Sequence, residues 1–357
     1  MTYPVSRANV QKFGTDFVKA GNLVSNGAYK LVEYMPQAFV KAVKNPYFRE
    51  AKSVKVDTVV FHHSDSPETE LRRFRAGELD IVQMAPVTQI DWLKQNMPET
   101  MMFYPVLGTQ YLAINMTKEP LASNPALRQA LSLAIDRQII VDKITKSGEV
   151  PAYTLTAPGV PGYTLPDANM AKATQAERDA KAKELVKEAG YGPGGKPLTV
   201  EILHNTNEST RKIAVGIASM WQSKLGAKVS LNNQEWKVVL QNAGEKSYAN
   251  TVVLGWIADF PDPYTFLKLF LGDVGKMNRS GYANATYDTK LNEANLTTDP
   301  ARRLALVAAA EGMMLADAPL IPIYHTSYRN LVHPRVKGWF ESPMGVQPTR
   351  YIEVTGR

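Results

Sequence analysis

Between residues 196 and 272, strand-like and helix-like stretches alternate three times. "KPLTVEILHN" (196–205), "AKVSLNNQEW" (227–236) and "YANTVVLGWIAD" (248–259) are short and rich in apolar and β-branched residues, as strands are. "ESTRKIAVGIASMWQSKLG" (208–226), "VVLQNAGEK" (238–246) and "PDPYTFLKLFLG" (261–272) read as helices. A β-α-β-α-β-α order leaves little freedom. Each strand returns parallel to the one before, and the helices cover the sheet, which is a three-layer α/β domain. In such sheets ligands gather beyond the carboxyl ends of the strands. The third strand runs out in "GWIADFPDPY", where Asp259 follows Trp256, Ile257 and Ala258. Asp262 and Pro263 suit the cap and first turn of the next helix. That leaves Asp259 for other work, although aspartate is also a favoured turn residue.

The remainder of the chain is organised around this block. "SNGAYKLVEY" (25–34) and "QAFVKAVKNPYF" (37–48) form a hairpin, and "VDTVVFHH" (56–63) is a third strand. "SPETELRRFRAGE" (66–78) opens a helix at Ser66 and Pro67 and stops it at Gly77. "LDIVQM" (79–84) is a buried strand, "VTQIDWLKQN" a helix and "VLGTQYLAINM" (106–116) a strand. Residues 124–148 carry the clearest helical periodicity, broken at Asp136. Residues 151–166 form a Pro- and Gly-rich loop, 174–191 a surface helix, and 299–319 a long helix. "LIPIYHTSYRNLV" (320–332) reads as a pair of strands. The first hundred residues and the last thirty read as mostly strand.

Composition removes whole classes of chemistry. The 357 residues contain no cysteine, which excludes disulfides, thiolate metal sites and thiol catalysis. The net charge of +7 is dispersed beside acids, as in "AERDAKAKELVKEAG", and not gathered into the footprint of a nucleic-acid binder. No apolar run approaches the ~18–20 residues of a membrane span. The opening "MTYPVSRANVQKFG" lacks the apolar core of a signal peptide. "GYGPGG" (190–195) follows a helix and precedes a strand, the reverse of a phosphate-binding loop. His62 and His63 are neighbours on a strand and point to opposite faces, so they do not chelate together. No G-x-S-x-G or G-x-x-x-x-G-K-[ST] occurs. His204, His325 and His333, at or beyond strand ends, are the sole support for a hydrolase.

Seven motifs occur in a characteristic order: "VSNGAYKLVEY", "NPYF", "ELRRFRAGELDIV", "NPALRQALSLAIDRQIIVDKI", "KEAGYGPGGKPLTVEILHN", "NQEW" and "GWIADFPDPYTFL". In them the chain resembles the oligopeptide- and dipeptide-binding proteins of bacterial ABC importers, and within these the oligopeptide and murein-peptide branch. The resemblance implies a two-lobed α/β periplasmic binding protein of type II-like architecture, with mixed sheets flanked by helices and a hinge between lobes. Residues 1–109 with 327–357 would build a partial first lobe, and 110–326 the second. The implied role is the substrate-binding component of an importer. It holds short peptides or peptide-like amines between the lobes and delivers them to the transmembrane subunits of a permease. No enzymatic activity, cofactor, metal or nucleic acid belongs to that role. The implied protein is a periplasmic monomer, although this chain shows no signal peptide. Such proteins carry about 150–170 further N-terminal residues, by their usual length. A truncated remnant without transport function is therefore an alternative. A nickel complex, haem, glutathione or an opine-like conjugate are alternative ligands.

By the same resemblance, Asp259 matches the aspartate that receives a peptide α-ammonium. The backbone of Gly255 and Ile257 matches the segment that pairs with the peptide main chain. Trp256 and Trp236 match residues lining side-chain pockets, and Asn205, Asn278 and Gln83 fall near cleft-lining positions. The basic residues that meet a peptide's carboxylate appear here as Val253, Ala243 and Thr210, and a cleft glutamate as Ala113. Arg211 or Arg279 is the expected replacement cation.

Overall fold

The computed structural model describes residues 4–64, 66–168 and 170–356. Two compact units are present, one formed up to Tyr104 and from Tyr328 onward, the other by Pro105–Ser327. The sequence reading places these boundaries at 110 and 327, within the same two strands.

In the first unit, α1 (Arg7–Phe13) starts at Ser6, whose hydroxyl accepts from the Asn9 N–H. It buries no residue, so no apolar stripe marks it and the sequence reads as loop. β1 (Tyr29–Met35), β2 (Phe39–Lys44) and β3 (Thr58–His62) form an antiparallel meander in which Tyr34 faces Val40 and Val40 faces Phe61. α2 (Pro67–Arg75) begins as expected, with Pro67 in its first turn and the Ser66 hydroxyl accepting from the Thr69 N–H at 3.2 Å. Its Leu71 and Phe74 pack with Val82 of β4 (Ile81–Val82), with Ile90 and Leu93 of α3 (Ile90–Asn96), and with Leu331. α2 and α3 fall where helices are read, and with α1 they leave this part less strand-rich than expected.

The second unit carries the α/β block. β5 (Met101–Ile114) enters it at Pro105. α4 (Pro125–Leu133) ends before Asp136, whose carboxylate caps α5 (Arg137–Ile139) by accepting from the Ile139 N–H at 3.1 Å. The chain continues as a π-helical turn over 140–145. β6 (Val150–Pro151) leads through the Pro- and Gly-rich loop to α6 (Gln175–Glu188), which has a reciprocal capping box between Thr174 and Glu177. β7 (Thr199–Asn205), α7 (Glu208–Leu225), β8 (Lys228–Gln234), α8 (Trp236–Glu245) and β9 (Thr251–Ile257) then alternate as read. α9 (Tyr264–Leu267) is a single turn running into a 3-10 turn, shorter than the helix expected over 261–272. α10 (Ala285–Leu296) was not anticipated, and α11 (Pro300–Asp317) was. β10 (Leu320–Val332) is one long strand, not a pair. The strand order is β8-β7-β9-β5-β10. β7 is parallel to both β8 and β9, and β9 is antiparallel to β5.

The core lies where α4, α6 and α7 meet this sheet. On α7, Ile213, Ala214, Ile217, Ala218, Trp221 and Leu225 recur every three or four residues and are buried. Trp221 is fully buried, and its indole N–H donates to the Leu131 carbonyl at 2.8 Å. Burying a tryptophan removes on the order of 200 Å² from water, about 5 kcal/mol before ordering costs. No helix among the described residues is long and apolar enough to cross a membrane.

His325 belongs to the interior of this unit. Its Nδ1 lies 2.9 Å from the buried Thr109 hydroxyl, and burial pulls its pKa down to about 4. The folded state therefore holds the ring neutral, while an unfolded chain takes up a proton below about 6.5. Its stability contribution is present above about 6.5 and is lost as pH falls toward 4. In urea titrations at pH 7.5 and pH 4.5, wild type should lose about 2–3 kcal/mol more than His325→Gln. Equal losses would show that another group carries the acid sensitivity.

Candidate functional site

The parallel strands β7, β8 and β9 point the same way, so their carboxyl ends share one edge of the sheet. Asn205 ends β7 and pairs with Gln234, which ends β8. Trp236 lies two residues further on, Gly255, Trp256 and Ile257 close β9, and Asp259 follows two residues beyond it. Sequence placed Trp236 at the end of a strand. It instead opens α8, where it is 42% exposed. The Asn205 side chain is half-buried, and its amide makes no hydrogen bond among the described residues.

The pairing of β9 is asymmetric. Against β5 it runs from Thr251 to Ile257. Against β7 it has two rungs, Ile202 with Thr251 and Leu203 with Val252. The Ala258 N–H donates to the Leu107 carbonyl at 2.7 Å, which fixes the backbone phase. Residues 254 and 256 then bond toward β5, and the N–H and C=O groups of Gly255 and Ile257 point to the opposite edge. No strand among the described residues pairs with them there. A strand edge left open in this way accepts an added extended chain through main-chain bonds alone. Gly255 has a second reason to be glycine. A Cβ there would meet the Gln110 side-chain oxygen at 2.9 Å and the Thr109 carbonyl at 3.6 Å.

Asp259 is positioned by the turn that follows. The buried Thr265 hydroxyl accepts both from the Asp259 N–H (3.0 Å) and from the Trp256 indole N–H (3.3 Å). One hydroxyl thus ties the Asp259 backbone to the Trp256 indole. Asp262 takes the capping task. It accepts from the Tyr264 N–H at 2.9 Å and forms a two-armed ion pair with Arg303 at 2.6 and 2.9 Å. The Asp259 carboxylate caps nothing. Its Oδ2 accepts from Lys268 Nζ at 2.9 Å, and its side chain remains 34% exposed. The Lys268 ammonium also lies 5.9 Å from the Trp256 ring and 5.3 Å from the Phe260 ring. Sequence reasoning missed Thr265, Lys268 and Gln110.

Other expected residues lie elsewhere. The Arg279 carbonyl accepts from the Tyr248 hydroxyl at 2.8 Å, and the Ser280 carbonyl from the Met116 N–H at 2.8 Å. Both contacts belong to the Thr251 end of β9, opposite Asp259. Asn278 and Arg279 therefore lie away from the Asp259 end; Arg279 is the residue expected to meet the ligand's carboxylate, not its amine. Asn278 is buried with its amide fully used: it donates to the Leu271 and Tyr282 carbonyls and accepts from Ser280 and Gly281. It shapes the loop and has no bonding capacity left for a ligand. Arg211 lies near the start of α7, where its guanidinium holds Glu208 through two bonds of 3.1 Å. Gln83 is an exposed residue of the first unit, beside Met84, whose φ of +62° is in the left-handed region. No three His, Asp or Glu side chains among the described residues group to hold a metal ion.

Comparison with known proteins bears on what such an edge serves. Residues 2–278 match the middle region of the bacterial extracellular solute-binding proteins, family 5. The periplasmic oligopeptide-binding protein OppA of Salmonella typhimurium is 34% identical over 338 residues, covering 94% of this chain and 61% of that protein. The chain thus spans about three fifths of the length of that relative. The murein tripeptide binding protein MppA of Escherichia coli superimposes with a TM-score of 0.92 at 33% identity, over 99% of this chain and 69% of that one. OppA of Haemophilus influenzae, in a complex with RPPGFSPFR, gives 0.90 at 32% identity, with the same coverage.

Proposed function

The chain belongs to the bacterial extracellular solute-binding proteins of family 5, and on that premise we propose that it binds short peptides or peptide-like amines for an ABC importer. The observation that carries this reading is the open edge of β9 ending in a part-exposed carboxylate. Gly255 and Ile257 offer main-chain groups to an extended ligand, and Asp259 offers an acceptor to its amine. Main-chain pairing is blind to side chains, so tolerance of sequence follows. Trp256 and Trp236 supply aromatic surface beside that edge, and Asn205 supplies an uncommitted amide. A ligand held through hydrogen bonds and charge is released unchanged, with no covalent step and no cofactor. In this reading the loaded protein works in the periplasm as a monomer and passes its ligand to the transmembrane subunits of a permease.

Native mass spectrometry of protein purified without added ligand tests the proposal. Adducts with the masses of short peptides or peptide-like amines are expected. Adducts of haem, a nickel complex or glutathione would overturn it in favour of that ligand.

A further inference from the structure

The carboxylate proposed to receive the ligand amine already has a cation on it. Lys268 Nζ lies 2.9 Å from Asp259 Oδ2. The two residues are nine apart, on either side of the turn that Thr265 ties together, so the fold itself delivers the ammonium. Lys268 is the more buried partner, 22% exposed against 34% for Asp259, and its charged end faces the Trp256 and Phe260 rings. A cation held by a carboxylate and two aromatic faces is not readily given up to water. Asp259 Oδ1 accepts no hydrogen bond among the described residues. The carboxylate therefore offers one oxygen, and the pair as a whole carries no net charge.

We infer that Lys268 is a specificity-determining residue: it neutralises Asp259, so this end of the site selects a hydrogen-bond donor more than a positive charge. The inference rests on the peptide reading above and narrows its ligand class. A bare carboxylate in a desolvated site strongly prefers an ammonium to an uncharged N–H donor. A carboxylate already paired with lysine gains less from a second cation, because Lys268 repels that cation at nearly the same range. Ligands whose first group is an amide N–H or a hydroxyl are therefore admitted alongside free amines. Neither the burial of the pair nor its geometry depends on the far end of the ligand.

The test is calorimetry of tri-alanine and N-acetyl-tri-alanine with wild type, Lys268→Met and Lys268→Arg. Met keeps the aliphatic stem against the rings while removing the charge, and Arg keeps the charge. Wild type should prefer the free amine modestly. Lys268→Met should raise that preference about fivefold, the upper scale of one part-exposed pair interaction, through tighter binding of tri-alanine. Lys268→Arg should stay near wild type. An unchanged or smaller preference in Lys268→Met would overturn the inference while leaving the peptide reading intact. Failure of both peptides to bind wild type would overturn the two together.

Discussion

Asp259→Ala should weaken tri-alanine binding by about 100-fold, within the 2–5 kcal/mol typical of truncating one partner of a desolvated charge pair. Two effects add. The ligand amine loses its acceptor, and Lys268 is left beside it as an unpaired cation, 22% exposed and facing the Trp256 and Phe260 rings. N-acetyl-tri-alanine feels only the first effect and should lose about tenfold or less. Calorimetry with both peptides separates the two contributions. Equal losses for the two would show that the carboxylate supports the fold of the turn and does not meet the amine. Adding Lys268→Met to Asp259→Ala should restore part of the loss, because the repelling charge is then gone.

Glu311→Ala should cost about 3–5 kcal/mol of stability, as several buried donors lose their acceptor at once. Glu311 sits on α11 with no exposed surface. One oxygen accepts from the Leu155 and Thr156 N–H groups at 2.9 and 2.7 Å, and the other from the Tyr163 hydroxyl at 2.6 Å. These three bonds fasten the Pro- and Gly-rich loop to the helix. Glu311→Gln keeps an acceptor for both backbone groups and should cost only about 1 kcal/mol. Urea unfolding followed by tryptophan fluorescence measures both variants. If alanine and glutamine cost the same, the charge and not the acceptor is what matters. Burial raises the Glu311 carboxyl above its ordinary range, against the pull of its hydrogen bonds. Its contribution is thus complete below 4.5 and is lost as pH rises through its folded value. That slope opposes the one set by His325.

The alternation of β7 through β9 was legible because each element announces itself locally, and the cap at Ser66 and the break at Asp136 were legible for the same reason. The position of Asp259 was also within reach, since a carboxylate just past a buried strand has few local excuses. What could not be read is anything set by contacts distant in sequence. Nothing in "TFLKLF" marks Lys268 as the residue that meets Asp259. Nor does "KPLTVEILHN" reveal that β7 pairs with β9 for only two rungs. Nor does the local sequence show that the loop around Arg279, the expected partner of the ligand's carboxylate, is tied down by Asn278 at the other end of β9. α10 had a usable signal in Tyr287, Leu291 and Ala294, spaced by four and three, yet polar neighbours dilute it.

The open edge of β9 has a cost that appears only when no ligand is present. Unpaired donors and acceptors on an extended strand invite another chain to add itself, which is how intermolecular sheets nucleate. The sequence after the strand answers this hazard. Asp259 and Lys268 place charge at its end, and Pro261 and Pro263 forbid continuation of the ladder. The open edge is kept too short to template a fibril, and the Asp259–Lys268 pair serves as its gatekeeper.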